Sequence, residues 1–377
     1  MLDVDSVTPF LLDRGLIPVS WVIDGDLTIR SAARRNRNLE VEGPGGTALL
    51  IKQPGDASEG GHETLRREAR FYRFCREESA AAPMVRILPR LVCWDAEETI
   101  LVLEWIPDAF CLWTGWGIPD GRGTSLEAAR ALGHALATVH GVFDGTALDQ
   151  DPRLGWLPGT LPWVMTLHQP GTVLLSRLSA ANAQTLRLLQ VPGGMGEPLD
   201  AMAHQWRAAT VIHGDMKFAN VLIRSPRAGA EPGPVEVWIA DWELVQIGDP
   251  AWDLAGVLQD FLVFWVFSMP IGDDLTAEAM IDQARVPLTA VRSAARAFWS
   301  GYRAEAGLAP DAADALVRRA VTFSGARLIQ TAFELAVEAD RLPGQSVLLL
   351  QISANLLAEP ERGQVQLYGI PLSAFGL

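Results

Sequence analysis

Residues 211–223, VIHGDMKFANVLI, decide how the rest of this chain is read. Val211 and Ile212 make an apolar, strand-like entry into His213-Gly214-Asp215. Asn220 follows, and Val221-Leu222-Ile223 is a second apolar run. Farther on, residues 237–243 read VWIADWE, so Asp241 comes directly after another apolar strand. An Asp, an Asn and a second Asp at strand ends are the set that phosphoryl transfer from ATP needs. One carboxylate receives or orients an acceptor hydroxyl, while an amide oxygen and the second carboxylate hold Mg²⁺ on the phosphates. Singly, each of the three could be a turn or cap residue; their joint order points to chemistry.

His213-Gly214-Asp215 with Asn220, then Asp241-Trp242-Glu243 and GDPAWDLA at 248–255, resembles the aminoglycoside phosphotransferase/choline kinase group of protein-kinase-like folds. The resemblance covers roughly residues 20–340. It implies an α+β, bilobal architecture: a small N-terminal lobe with an antiparallel sheet plus one helix, and a large, mainly helical C-terminal lobe. Residues 1–106 would form the nucleotide-binding lobe, and residues 107–377 the lobe with the catalytic loop, the metal site and the acceptor-binding region. In that frame Asp215 is the catalytic base or hydroxyl-positioning group, and Asn220 and Asp241 are Mg²⁺ ligands, hard oxygen donors that match this ion. His213 braces the loop, Asp253 braces its backbone, and Glu243 makes a structural bond or touches the metal.

The whole composition fits this. At 377 residues the chain is long enough for two lobes with their own cores. With 49% hydrophobic and 20% charged residues it reads as an ordered, soluble protein. A net charge of −14 argues against sequence-independent nucleic-acid binding and would instead attract a cationic acceptor. Cys75, Cys93 and Cys111 contain no C-x-x-C pair, so neither a disulfide framework nor a zinc site is expected. The start MLDVDSVTPF lacks an apolar signal region. The most apolar run, FLVFWVFSMPI at 261–271, is too short to span a bilayer and reads as a buried helix. A cytoplasmic protein without membrane partners is the expectation.

In chain order, residues 1–20 offer little chemistry, and Pro9 and Pro18 argue against one continuous helix. LTIRSAARRNRNLEVE at 27–42 looks like two strands and a turn. The resemblance places the phosphate-covering loop there, yet the stretch has no glycine. Backbone cradling of phosphate is thus replaced by side chains, with Ser31, Arg34, Arg35 and Asn36 as candidates, unless this is simply a solvated basic hairpin. Lys52 ends the strand Leu49-Leu50-Ile51 and either snorkels to water or neutralises phosphate. The following helix decides: Leu65, Ala69, Tyr72 and Cys75 form its apolar stripe, and Glu68 lies on that stripe. A carboxylate there needs a cation, and Lys52 is the available one. The resemblance implies that this pair sets the α- and β-phosphates of ATP. RILPRLVCWDAEETILVLEWI at 86–106 gives two strands around the turn 95–98 and then the link between lobes. The resemblance implies that backbone groups of this link, at Glu104, Trp105 and Ile106, bind the adenine edge.

Residues 111–124 read as a Trp/Gly-rich loop, and 125–141 as an amphipathic helix with Ser125 as N-cap. His140 on that helix reads as a core histidine bonded to backbone rather than as a catalytic group. Asp249-Pro250 reads as an N-cap with proline at the first helical position. Beyond it, helices are expected over roughly 287–305, 311–340 and 345–357.

Lys217, two residues past Asp215, stands where protein Ser/Thr kinases carry a lysine that contacts the γ-phosphate and acceptor hydroxyl; the alternative is a solvated surface lysine. ARRNRNLEV and HGDMKFAN are similar to stand-alone kinases of lanthipeptide and thioamitide pathways. The favoured reading is therefore an ATP- and Mg²⁺-dependent kinase for Ser or Thr of a ribosomally made precursor peptide, with a separate lyase partner. The alternative is a small-molecule kinase for an aminoglycoside, amino alcohol or sugar. The third reading, a catalytically silent ATP-binding scaffold, runs against the intact set Lys52, Glu68, Asp215, Asn220 and Asp241.

Overall fold

The computed structural model describes residues 2–31, 37–46, 48–55, 59–115, 126–143, 148, 151–225, 234–272 and 275–372. Two short helices open the chain, α1 (Val7–Asp13) and α2 (Val19–Ile23), separated at Pro18 as the prolines foretold. Strands β1 (Thr28–Ser31), β2 (Arg37–Glu42) and β3 (Ala48–Gln53) follow, then α3 (Glu59–Glu77), β4 (Leu91–Asp95) and β5 (Ile100–Glu104). These five strands form one antiparallel sheet in the order β1-β2-β3-β5-β4.

The pleat of this sheet separates two environments, because successive side chains point to opposite faces. Leu49 and Ile51 of β3 and Ile100 and Val102 of β5 pack against Val7, Phe10, Leu11 and Ile17 of the N-terminal segment. Gln53 fastens that segment through two bonds to the Leu2 backbone, at 2.8 and 2.6 Å. Leu101 and Leu103 face the other way, into the core that includes Leu65, Ala69 and Tyr72 of α3. Lys52 pairs in register with Leu101 and so points to this second face, toward α3. The segment 2–17 thus covers the sheet's outer face.

The second half begins with β6 (Phe110–Cys111), α4 (Leu112–Gly115) and α5 (Leu126–Gly141). The expected loop from 111 therefore opens with one helical turn; Ser125 and the rest of the loop lie outside the described residues. Next come α6 (Thr172–Leu175), α7 (Ala180–Leu189), α8 (Gly196–Gln205), β7 (Thr210–Ile212), β8 (Val221–Arg224), β9 (Glu236–Ile239) and β10 (Gln246–Gly248). Helices α9 (Pro250–Ser268), α10 (Ala277–Asp282), α11 (Leu288–Ala306), α12 (Pro310–Leu335), α13 (Gly344–Ala358) and α14 (Pro360–Gln366) complete the chain. β8 pairs with β6 and β9, and β7 pairs with β10.

Asp249 caps α9 by accepting from Ala251 N at 2.9 Å, ahead of Pro250 at the first turn. Residues 261–268 of the apolar run belong to this longer, 19-residue helix, the one described helix long and apolar enough to cross a membrane, and the run leaves the helix after Ser268. Its most apolar window is 89% buried inside the fold, so its hydrophobicity belongs to the core. The long helix expected over 311–340 ends earlier, at Leu335.

Helices α5 and α11 cross closely enough that a Cβ on Gly133 would overlap the Phe298 carbonyl oxygen. Gly133→Ala should therefore destabilise the protein by about 1–3 kcal/mol through overpacking, read as a lower thermal midpoint. An unchanged midpoint would contradict this crossing.

Candidate active site

The candidate site lies where α3, the β8–β9 hairpin and the loop after β7 meet. Lys52 Nζ sits between two carboxylates, 2.5 Å from Glu68 Oε2 and 2.5 Å from Asp241 Oδ1. Lys52 is 4% exposed and Glu68 0%, whereas Asp241 keeps 34% of its side chain open. Burial works against the Lys52 ammonium, but Glu68 and Asp241 together outweigh it and raise its pKa. Burial also pushes the Glu68 carboxyl up, with Lys52 opposing. For Asp241, Lys52 outweighs desolvation and holds the carboxyl below its ordinary range.

Local structure explains why Asp241 is there. Ala240 N donates to Asn220 O at 2.9 Å, extending the β8–β9 register by one pair, so Asn220 and Asp241 sit at the same hairpin end. Asp241 adopts φ 68°, ψ 55°, a left-handed conformation that Asp tolerates better than most residues. Trp242 then turns inward, stacking on Phe71 of α3 at 4.6 Å and donating its backbone N–H to Glu68 Oε1 at 3.3 Å. His213 braces the same corner, with its ring on Trp242 and Nε2 bonded to Ala240 O at 2.9 Å. Glu243 is buried and accepts from Thr64 Oγ1 at 3.3 Å.

The loop 213–218 is fastened peptide by peptide, chiefly by α9. Asp253 accepts from His213 N at 2.7 Å and Gly214 N at 3.0 Å. One turn on, a Cβ on Gly256 would overlap the Met216 carbonyl, so only glycine admits the loop. A further turn on, Asp260 accepts from Phe218 N at 2.5 Å. Positions 253, 256 and 260 share one helical face. His140 is buried as expected, but its partners are side chains, not backbone: Tyr302 Oη at 2.9 Å and Asp253 at 3.2 Å. A histidine that orients a loop-bracing carboxylate sits one layer behind the site.

Within the loop, Asp215 Oδ2 lies 2.5 Å from Lys217 Nζ. Asn220 Nδ2 donates to Asp215 O at 3.0 Å, which turns the amide oxygen the other way. Against the cost of burial, Asp215, with Asp241 behind it, raises the Lys217 ammonium above its ordinary value. Asp215 and Lys217 open onto a cavity also lined by Trp113, Gln259, Gln330 and Glu334. A second cavity, on the Lys52 face of the sheet, is lined by Thr28, Arg30, Glu40, Ala48, Trp105 and Asp108.

Other expected residues lie differently. Ser31 ends β1, exposed, opposite Leu39, and Arg35, with Arg34 and Asn36, lies outside the described residues. In the link, Trp105 N is bonded to Ala48 O at 3.0 Å and the Glu104 carboxylate to Arg90 Nε at 2.7 Å. Ile106 is buried behind them.

A profile of the phosphotransferase enzyme family (APH) matches residues 26–298. The chain belongs to this family. It is a kinase that acts on a hydroxyl acceptor. No curated protein matches the phosphotransferase, but solved structures do. A choline/ethanolamine kinase family protein from Mesorhizobium loti is 17% identical with a TM-score of 0.52, over 94% of this chain and 96% of that one. Choline kinase LicA from Streptococcus pneumoniae is 13% identical with a TM-score of 0.51, over 94% and 100%. The streptomycin–ATP–APH(2″)-IIa ternary complex is 14% identical with a TM-score of 0.50, over 95% and 99%. These likenesses establish the kinase-like fold.

Two site residues of the phosphotransferase escaped the sequence reading. Asp260 sits inside the most apolar helix, and Arg327 follows Leu316, Ala320 and Phe323 on the buried stripe of α12. A charge on a buried stripe was the available signal for both, as it was for Glu68. Burial pushes the Asp260 carboxyl up to about 7, against the Phe218 N–H and the Arg327 and Lys217 charges.

Two outcomes follow from these charges. Glu68→Ala leaves Lys52 with Asp241, whereas Lys52→Ala leaves two carboxylates facing each other. Both should lower stability in urea unfolding, by about 3 kcal/mol for the first and more for the second; the reverse order would contradict the three-centre arrangement. Between pH ~4 and ~7 folded Asp260 holds a proton that the unfolded chain has released, so its contribution is lost as pH rises through 7. Asp260→Asn should then compare more favourably with the parent at about pH 8 than at about pH 5. A difference in unfolding free energy that does not vary with pH would contradict this.

Proposed function

We propose that this phosphotransferase moves the γ-phosphoryl group of ATP to a hydroxyl, with Asp215 positioning that hydroxyl and Asn220 and Asp241 holding Mg²⁺. The observation that carries the reading is the joint placement of Asn220 and Asp241 at one hairpin end, with Asp241 on Lys52 and Asp215 in the adjoining loop. The donor set fits Mg²⁺: the hydrogen bond of Asn220 Nδ2 leaves Oδ1 for a metal, and Asp241 is a partly open carboxylate. The ion, when bound, neutralises charge on the phosphates. The APH(2″)-IIa structure of like fold is a complex with streptomycin and ATP, which agrees with ATP as donor.

In this reading residues 1–106 are the nucleotide lobe and 107–377 carry the loop, metal site and acceptor region. The base occupies the cavity beside Ala48 and Trp105, against the Glu104–Ile106 link. Lys52, held by Glu68, meets the α- and β-phosphates. Asp215 orients the hydroxyl for in-line attack and accepts its proton, and Lys217 stabilises charge on the transferring group.

Two acceptor readings are supported by different observations. Lys217 lies on Asp215, at the reacting atoms, where a flexible Ser or Thr side chain of a precursor peptide would need its geometry fixed; that reading also requires a lyase partner. The walled cavity at Asp215, with Trp113 on one side and Gln330 and Glu334 on the other, supports a small hydroxyl compound such as an amino alcohol, aminoglycoside or sugar. Incubation with ATP, Mg²⁺ and either a Ser/Thr precursor peptide or a panel of such compounds, followed by mass spectrometry for one added phosphate, separates them.

Asp215→Ala should lower transfer at least ~10²-fold while nucleotide binding is kept, and Asp241→Asn should weaken the Mg²⁺ dependence of nucleotide binding. Full transfer by the first variant, or an unaltered Mg²⁺ titration in the second, would overturn the assignment.

A further inference from the structure

Arg327 lies on α12, beyond the residues 26–298 that the family profile matches. It is 4% exposed, and its guanidinium enters the site from the C-terminal side. Its NH2 donates to Met216 O at 2.9 Å and lies 3.5 Å from Asp215 Oδ1. NH1 donates to Gln330 Oε1 at 3.1 Å. The plane sits 5.1 Å over the Trp252 ring, and Trp252 Nε1 in turn donates to Gly214 O at 3.0 Å.

The two carbonyls that flank Asp215 are thereby held by one stacked pair, Gly214 O by Trp252 and Met216 O by Arg327. Only a planar fork with several donors reaches a carbonyl, a carboxylate and an amide from one buried position. Asp215 is flanked by cations of different character. Lys217, on Oδ2, is 39% exposed and sits on a flexible stem. Arg327, near Oδ1, is packed and stacked. The N–H groups of His213, Gly214 and Phe218 are already held by Asp253 and Asp260, and that of Asp215 by His213 Nδ1 at 3.2 Å. Arg327 therefore supplies the remaining restraint, on the carbonyl next to the reacting carboxylate.

We infer that Arg327 is a positioning residue for phosphoryl transfer: it sets the Asp215 carboxylate through the Met216 carbonyl, and α12 is a working part of the active site. This rests on Asp215 acting as the hydroxyl-positioning group. A residue that acts only through Asp215 alters turnover without altering nucleotide affinity, and its removal costs nothing further once Asp215 is gone.

The test uses the full chain and ATP hydrolysis in Mg²⁺, with water as the acceptor, so that the native acceptor is not needed. Arg327→Met and Arg327→Lys should lower kcat on the order of 10²-fold and 10-fold, as expected for a misplaced reacting group. Binding of a fluorescent ATP analogue should stay within about twofold of the parent, because the interaction lost is one made in transfer rather than in binding. Arg318→Gln, on the exposed side of α12 and paired with Glu361 at 3.7 Å, is the control and should leave both unchanged. Asp215→Asn and the double variant Asp215→Asn/Arg327→Met should have the same kcat.

A double variant much slower than Asp215→Asn would show that Arg327 acts elsewhere and overturn the inference. So would a loss of nucleotide affinity that matches the loss of turnover. If Arg327→Met does not give a cooperative thermal transition, Arg327→Lys and its pairing with Asp215→Asn carry the same comparison. Parental hydrolysis by Asp215→Asn alone would locate the failure in the role given to Asp215, not in the contact of Arg327 with it.

Discussion

A single buried ammonium between two carboxylates, Lys52 between Glu68 and Asp241, ties three parts of the chain that are far apart in sequence. Lys52 comes from the five-stranded sheet, Glu68 from the helix packed on it, and Asp241 from the hairpin of the helical half. Removing Lys52 leaves two carboxylates facing each other in a largely closed site, which costs far more than a surface pair is worth. The arrangement therefore fixes the sheet against the hairpin while leaving Asp241 partly open. Structural tension and chemical usefulness have the same origin: Asp241 is held by Lys52 but not enclosed.

Around that pair the loop 213–218 is almost fully specified. The N–H groups of His213, Gly214 and Phe218 go to Asp253 and Asp260, three of its carbonyls go to Trp252, Asn220 and Arg327, and Gly256 makes room for it. Most of these partners come from one face of α9, a helix whose other faces are buried in the core. Hydrophobic packing of α9 and α12 is thus converted into placement of Asp215. In the proposed reaction, a carboxylate held by backbone bonds on a packed helix loses little freedom when substrate arrives, which is how positioning contributes to rate.

Much of this was legible in the residues because the signals were local. His213-Gly214-Asp215 with Asn220, and Asp241 after a strand, sit within short apolar frames. Glu68 declared itself as a charge on a helical apolar stripe, and its burial against Lys52 is observed. The same rule applied to α9 and α12 would have found Asp260 and Arg327. Asp260 was passed over because α9 is apolar nearly all round, so no single stripe stood out, and Arg327 because it sits in the middle of α12, where residues 323–330 are all buried. The partner of His140 was misread for another reason. A histidine on a core face is satisfied by whatever tertiary packing brings, here Tyr302 and Asp253, and neither is near it in sequence. The cover of the sheet by residues 2–17 was hidden likewise, since it depends on which face of β3 is left open. The cavity at Asp215 draws on α4, α9 and α12 together and has no linear signature.

The central claim is that Asn220 and Asp241 form a metal site facing the phosphates, with Asp215 in reach of the transferring group. A crystal structure of the full chain with a non-hydrolysable ATP analogue and Mg²⁺ measures this directly. The expected result is an ion at about 2.1 Å from Asn220 Oδ1 and from an Asp241 carboxylate oxygen, bridging to phosphate oxygens. The terminal phosphate would face Asp215, and the base would lie against the Glu104–Ile106 link. A nucleotide bound away from Lys52, or an ion that contacts neither Asn220 nor Asp241, would contradict it.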